Sequence, residues 1–245
     1  MTLPVSLARL VKSIETATIE NTKITPLKAK ELVIAADVQV EDMMQYADFD
    51  HPVEDCYGRK LVFDNGKFEV MVMSWKPGDY SSIHNHGYTQ WGVVQAFGNA
   101  HHMIYQVKNN EMTFAKKEIL TNGDVVKVNN ALIHQMGNST TQGYLTLHVY
   151  GVNGDCHAIT ADAKNYDLEL DRIAHTCGGA FFNLSADAVH SEEAGVEPSQ
   201  AVFSHYSHLL MDYYNRQVQT AEVLNLKNQL MQKMEERMFA GSEVC

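Results

Sequence analysis

Three histidines in this sequence, His84, His86 and His134, have the residue type and spacing to hold a metal ion. On an extended strand residues i and i+2 project to the same face, so His84 and His86 can aim at one point. A histidine from a neighbouring strand would complete a facial set of three nitrogens. Half of an octahedral ion's positions would then stay open for chemistry. The pair alone is a weak signal. With 12 His in 245 residues, roughly 0.6 His-x-His pairs arise by chance from composition. The surrounding spacing carries the claim. Five residues separate Gly78 from His84, four separate His86 from Trp91, and six separate Trp91 from Gly98. A second glycine-anchored frame runs Gly123, five residues, Asn129, then Ala131, two residues, His134, three residues, Asn138.

A second polar row lies downstream. Thr146, His148 and Tyr150 alternate onto one strand face, and His148 follows His134 by 14 residues, which leaves room for a hairpin return. A buried Thr-His-Tyr row needs polar partners, so a wet or metal-bearing interior suits it. His101 and His102 are adjacent, so on a strand only one can face inward, and surface or rim is the expected place for them. His205 and His208 lie three apart on a helical stretch, where such pairs are usually solvated.

The elements that must position these residues are legible as a change of texture. Residues 1–48 are helical and amphipathic, with Leu7, Leu10, Val11 and Ile14 at helical spacing and Thr25-Pro26 as a helix start. From Tyr57 to Tyr150, runs rich in Val, Met, Phe, Tyr and Trp alternate with turns such as Asp64-Asn65-Gly66 and Asn122-Gly123-Asp124. Strands punctuated in this way indicate an antiparallel sandwich or small barrel. Residues 155–198 are mixed. From Ser199 to Phe239 the pattern is helical again, with Val223, Leu226, Leu230 and Met234 in step. The terminal helix could pair with a partner chain as a homodimer or pack on its own barrel.

Composition sets the outer bounds. The formal charge of -11 argues against nucleic acid, which needs a basic footprint. Cys56, Cys156, Cys177 and Cys245 form no C-x-x-C pair and no zinc-ligand spacing, so they read as thiols of a reducing compartment. No run approaches the ~18 apolar residues of a membrane span, and the N-terminus lacks a basic region followed by an apolar run. A soluble cytoplasmic protein with no membrane partner is expected.

The two glycine frames resemble the paired motifs of the cupins. That resemblance implies an all-β core, a double-stranded β-helix barrel of the jelly-roll kind with helices at both ends. The expected organisation is a helical segment over 1–48 packing on the barrel, the barrel with its metal site over 49–160, and a helical extension over 161–245. Many cupins carry glutamate where this chain has Trp91, and no acidic residue occurs between His84 and Gly98. Three neutral imidazoles would leave a divalent ion's charge uncompensated, which favours an anionic ligand such as a thiolate.

From Tyr57 to Ala158 the chain further resembles thiol dioxygenases of the cysteine dioxygenase type. Tyr57-Gly-Arg59, Asp64-Asn-Gly-Lys-Phe68, Ser81-Ser-Ile-His84-Asn-His86, Thr146-Leu-His148-Val-Tyr150 and Asp155-Cys-His-Ala158 carry the likeness. The resemblance implies Fe(II) on His84, His86 and His134, Arg59 on the substrate carboxylate and Tyr57 in the pocket lining. It further implies His148 and Tyr150 as catalytic helpers. The substrates would be O2 and a small carboxylate-bearing thiol, with L-cysteine leading and 3-mercaptopropionate or a larger thiol acid as alternatives. A thiol without a carboxylate would leave Arg59 unpaired. A metal-binding cupin that senses a small ligand without turnover is the alternative of another class. In the animal enzymes a cysteine at the position matched to Trp91 is thioether-linked to the tyrosine matched to Tyr150. This chain resembles the bacterial members, which lack it.

Overall fold

Strands over residues 58–151 build the centre of the molecule. The computed structural model describes residues 2–20, 23–154 and 158–240; Asp155, Cys156, His157 and Cys245 lie outside them. The strands are β1 (Gly58–Asp64), β2 (Phe68–Trp75), β3 (Ile83–His84), β4 (Trp91–Phe97), β5 (Ala100–Lys108), β6 (Glu111–Leu120), β7 (Val125–Val128), β8 (Ile133–Gly137), β9 (Tyr144–Gly151), β10 (Ala163–Asp167), β11 (Arg172–Thr176), β12 (Ser191–Ala194) and β13 (Glu197–Pro198). The helices are α1 (Val5–Glu20), α2 (Pro26–Ala36), the short α3 (Val40–Met43), α4 (Gln200–Arg216) and α5 (Ala221–Ala240). One sheet has the order β1-β2-β9-β4-β7 and the other β12-β11-β10-β3-β8-β5-β6-β13. Two sheets around one interior form the cupin jelly-roll barrel that the glycine frames imply.

The central strands β2, β9 and β4 of the five-stranded sheet are buried on both faces, so β2 reads as an unbroken buried run. Phe68, Val70 and Val72 of β2 and Leu145, Leu147 and Val149 of β9 face outward and pack against Leu7, Leu10 and Ile14 of α1 and Val33 of α2. Each such full burial of a large aliphatic side chain stabilises the fold by about 1.5–3 kcal/mol. The intervening Met71, Met73, Trp75 and Tyr150 face the barrel interior. Helix α2 begins where Thr25 and Pro26 predict. The Thr25 hydroxyl accepts the Lys28 N–H at 3.2 Å, satisfying a free donor of the first turn.

Residues 161–198 depart from the expected helical extension. They supply a hairpin, β10–β11, whose first strand pairs with β3 at Asn165↔His84. Strand β12 adds to β11, and β13 runs parallel to β6. These strands hold Lys, Asn, Arg, His and Glu in two- to five-residue lengths. Backbone pairing with a preformed edge fixes them, and their side-chain alternation is too weak to announce it. The helical pattern from Ser199 to Phe239 corresponds to α4, which buries Val202, Phe203, Tyr206, Leu210 and Tyr213, and to α5, which buries Val223 and Leu230. Among the described residues no helix is long and apolar enough to cross a membrane.

Candidate metal centre

Strand β3 lies between β8 and β10, and it sets His84 directly opposite His134 in register. His86 follows just beyond the strand's end. The extended course between them is held by β10. Asn85 N–H donates to the Lys164 carbonyl at 3.0 Å, and Lys164 N–H donates to Asn85 Oδ1 at 2.7 Å. The three rings sit 4.6 to 5.2 Å apart by centroid. One nitrogen from each lies within 4.8 Å of the others.

The residues fit a metal ion on grounds of their own. His84 Nε2 and His134 Nε2 face each other at 3.2 Å. Two imidazole lone pairs at that distance repel unless a proton or a cation lies between them. Both ring nitrogens of His86 are buried without a hydrogen-bond partner among the described residues. Asn129's backbone comes near enough to favour the charged ring slightly, but outside hydrogen-bond geometry. An orphaned buried imidazole is costly, and coordination removes the cost. His84 Nδ1 donates to the Ser82 carbonyl at 2.9 Å, which leaves Nε2 for the ion. Burial holds all three rings neutral, as ligation requires. It lowers His84 to about 4, and His86 and His134 go well below their ordinary value. Among the described residues this group contains no carboxylate, and His205 and His208 join no such group.

Behind His134 stands a relay that was expected at the surface. His102 is 1% exposed, and its Nε2 meets His134 Nδ1 at 2.9 Å. Its Nδ1 meets Glu118 Oε1 at 3.0 Å. If His134 offers Nε2 to an ion, Nδ1 carries the proton and donates to His102, whose own N–H donates to Glu118. Burial of Glu118 is outweighed by hydrogen bonds from Lys116 and His102, which hold its carboxyl below the usual range. His101 points the other way, toward Tyr80 Oη at 3.1 Å and Ser139 Oγ at 2.7 Å. Sequence alternation allowed one inward histidine here; only the pairing of His102 with Glu118 across β5 and β6 identifies which.

The Thr146-His148-Tyr150 row faces the same cavity, and Trp75 anchors its head. The Trp75 indole can only donate, and it donates to Thr146 Oγ1 at 2.9 Å. With His148 protonated at Nδ1, the Thr146 hydroxyl donates to His148 Nε2 at 2.7 Å and His148 Nδ1–H donates to Tyr150 Oη at 2.7 Å. In that tautomer the Tyr150 proton is left for a group in the cavity. Burial pushes this phenol well up and holds His148 down at about 3, so the chain stays neutral. Tyr57 stacks on Trp75 at 4.8 Å, accepts the Ala180 N–H at 3.3 Å, and is pushed by burial up to about 12.

Six of the seven expected site residues line one small cavity: Tyr57, His84, His86, His134, His148 and Tyr150. It encloses about 20 Å³, little more than one water needs. Arg59 lies elsewhere. It lines an adjoining cavity of about 320 Å³ that shares Met71 and Thr160 with the first.

Trp91 is not the residue that faces Tyr150. Its indole packs with Phe68 and Val93 beneath the N-terminal helices, on the outer face of the sheet. Gly92 is the register partner of Tyr150, and a Cβ there would stand 3.0 Å from Tyr150 Cδ1. The match of Trp91 to the animal cysteine is therefore off by one residue. The alternation of buried Trp91 and Val93 with inward Val94 and Ala96 carries this signal in the sequence.

Comparison with known proteins identifies the family. A family model described as cysteine dioxygenase type I matches residues 2–159. The cysteine dioxygenase type 1 of Homo sapiens is 32% identical over 120 residues, which cover 46% of this chain and 58% of that protein. The Bos taurus protein of the same description is 33% identical with the same coverage, and that of Danio rerio is 25% identical over 154 residues, 60% of this chain and 75% of that one. The match thus spans little over half the length of the mammalian relatives. Among solved structures, a double-stranded β-helix domain protein from Klebsiella pneumoniae aligns with a TM-score of 0.36 at 17% identity, covering 48% of this chain and 90% of that one.

Proposed function

The chain belongs to the cysteine dioxygenase type I family, and on that footing we propose that it is an iron(II)-dependent thiol dioxygenase. The reaction is RSH + O2 → RSO2H, with L-cysteine as the leading substrate. The observation that carries this reading is the carboxylate-free group of three inward histidines beside the oriented Tyr150 phenol. Ferrous iron on His84, His86 and His134 would supply electrons for dioxygen and open positions for dioxygen and a thiolate.

The chain's own residues account for the rest of the work. Trp75, Thr146 and His148 hold the Tyr150 proton toward the cavity, where it can be donated to a bound oxygen or sulfur atom. The raised phenol keeps that proton through neutral pH. Tyr57 closes one wall, and Met71, Met73 and Met136 line the cavity with apolar surface that limits water. Arg59 presents a planar fork suited to a carboxylate from the adjoining cavity.

Oxygen-electrode assays test this reading. Uptake should require both added Fe(II) and a thiol, disappear in His86→Ala, and show a raised KM for cysteine in Arg59→Ala. Uptake that is indifferent to thiol, or an Arg59→Ala protein with unchanged KM, contradicts the corresponding part.

A further inference from the structure

Hairpin β10–β11 reaches the metal centre through one buried side chain. Asn165 of β10 is the register partner of His84 and is 2% exposed. Its neighbours fix the orientation of its amide. The Gly179 carbonyl can only accept, so the atom that meets it at 2.7 Å is Nδ2, donating. Nδ2 also donates to Thr176 Oγ1 at 3.3 Å. Oδ1 is thereby turned toward Ser82, and because it can only accept, the buried Ser82 hydroxyl donates to it. Ser82 in turn orients His84: its carbonyl accepts the His84 Nδ1–H at 2.9 Å. The Ser82 N–H donates to the Ala180 carbonyl at 3.0 Å. Ser82 is thus gripped from outside the cavity at its hydroxyl and its N–H, while its carbonyl holds the ring. Asn165, Thr176, Gly179 and Ala180 all lie beyond residue 159, where the match to the family model ends.

A carbonyl fixes a ligand ring only as firmly as its own peptide is fixed. We propose that Asn165 is a positioning residue for the metal centre: through Ser82 it holds the peptide whose carbonyl keeps the His84 proton on Nδ1 and turns Nε2 to the ion. This rests on the three-histidine metal reading and is independent of which thiol the chain oxidises. It also accounts for a polar residue at a fully buried place in β10. An apolar side chain there would leave the Ser82 hydroxyl without its acceptor and the Gly179 carbonyl without its Asn165 donor, and the Ser82 peptide would be free to turn.

The test reads the metal site without turnover. Competition with a chelator measures the affinity of the full-length chain for Fe(II) and Co(II), and the visible absorption of the Co(II)-loaded chain reports the geometry of its ligands. Asn165→Ala and Ser82→Ala should each lower affinity about 10–100-fold and shift the Co(II) bands. Both changes break the same contact, so the double variant should lose no more than the weaker-binding single variant. Ser82→Ala deletes a single oxygen and decides the matter alone should Asn165→Ala not fold. Ser199→Ala, which removes the N-terminal cap of α4, serves as the control for general loosening. It should lower thermal stability and leave affinity and bands unchanged. Full affinity with unchanged bands in folded Ser82→Ala overturns the proposal, as do losses that add in the double variant or an equal loss in Ser199→Ala. A wild type that takes up neither metal overturns the metal centre and the positioning role with it. A wild type that binds while the variants match it overturns the positioning role alone.

Discussion

The buried imidazoles tie the site to pH. His84 and His148 are held by burial at about 4 and about 3, against an ordinary 6.5. Below that ordinary value the unfolded chain takes up protons that the folded chain refuses, so acid favours unfolding. Stability of the metal-free protein should be level from pH 8 to about 6.5 and fall from there toward pH 4. Urea midpoints measured across that range check it, and a midpoint that rises on acidification contradicts it. A second expectation concerns the relay behind His134. Glu118→Gln or His102→Leu removes the group that holds His134 in its tautomer, and metal affinity should fall about 10–100-fold. Competition with a chelator measures this, and unchanged affinity would remove the relay's role. At this scale the sequence was informative where a strand period was available. His84 with His86, and His148 with Tyr150, were paired correctly by i and i+2. Glu118 was not found, and His102 was not told apart from His101, because each depends on which strand lies beside it and which face is turned inward.

Strand pairing decides how close the rows that line the cavity approach each other. Strands β4 and β9 run side by side, and Gly92 allows that contact at Tyr150, since a Cβ would meet the Val149 carbonyl oxygen at 2.6 Å. Gly92→Ala should therefore displace Tyr150 and lower kcat at least tenfold, while metal binding, which involves β3 and β8, stays intact. Retained kcat in a folded variant would show that the ring is not held from this side. Helices α1, α2 and α4 and the main barrel strands could be read from apolar spacing and turn residues. The hairpin β10–β11 could not, although it pins Asn85 between two metal-site histidines. Its strands are short and polar, and their hydrogen bonds go to a partner about 80 residues away in sequence, which local pattern cannot reveal.

The whole molecule turns two separated glycine frames into one site. Gly78, in the left-handed region at φ +84°, donates its N–H to the carbonyl of Asn138, the last residue of the second frame, at 2.8 Å. Asn138 N–H returns a bond to the Asp79 carbonyl at 2.8 Å, and its side chain holds the Trp75 carbonyl at 3.0 Å. Barrel closure thereby links both histidine-bearing segments to the strand that carries Trp75 at the head of the tyrosine relay. The sequence spacing foretold the frames; their mutual hydrogen bonds belong to the closed barrel alone. Three neutral histidines and a donating phenol in one small cavity make a definite claim about the fate of dioxygen. The most direct measurement is mass spectrometry of the product formed by the iron-loaded chain from L-cysteine under 18O2. The account predicts cysteine sulfinate carrying two labelled oxygens, with none formed by His86→Ala. A product with one or no labelled oxygen, or only cystine, would contradict it.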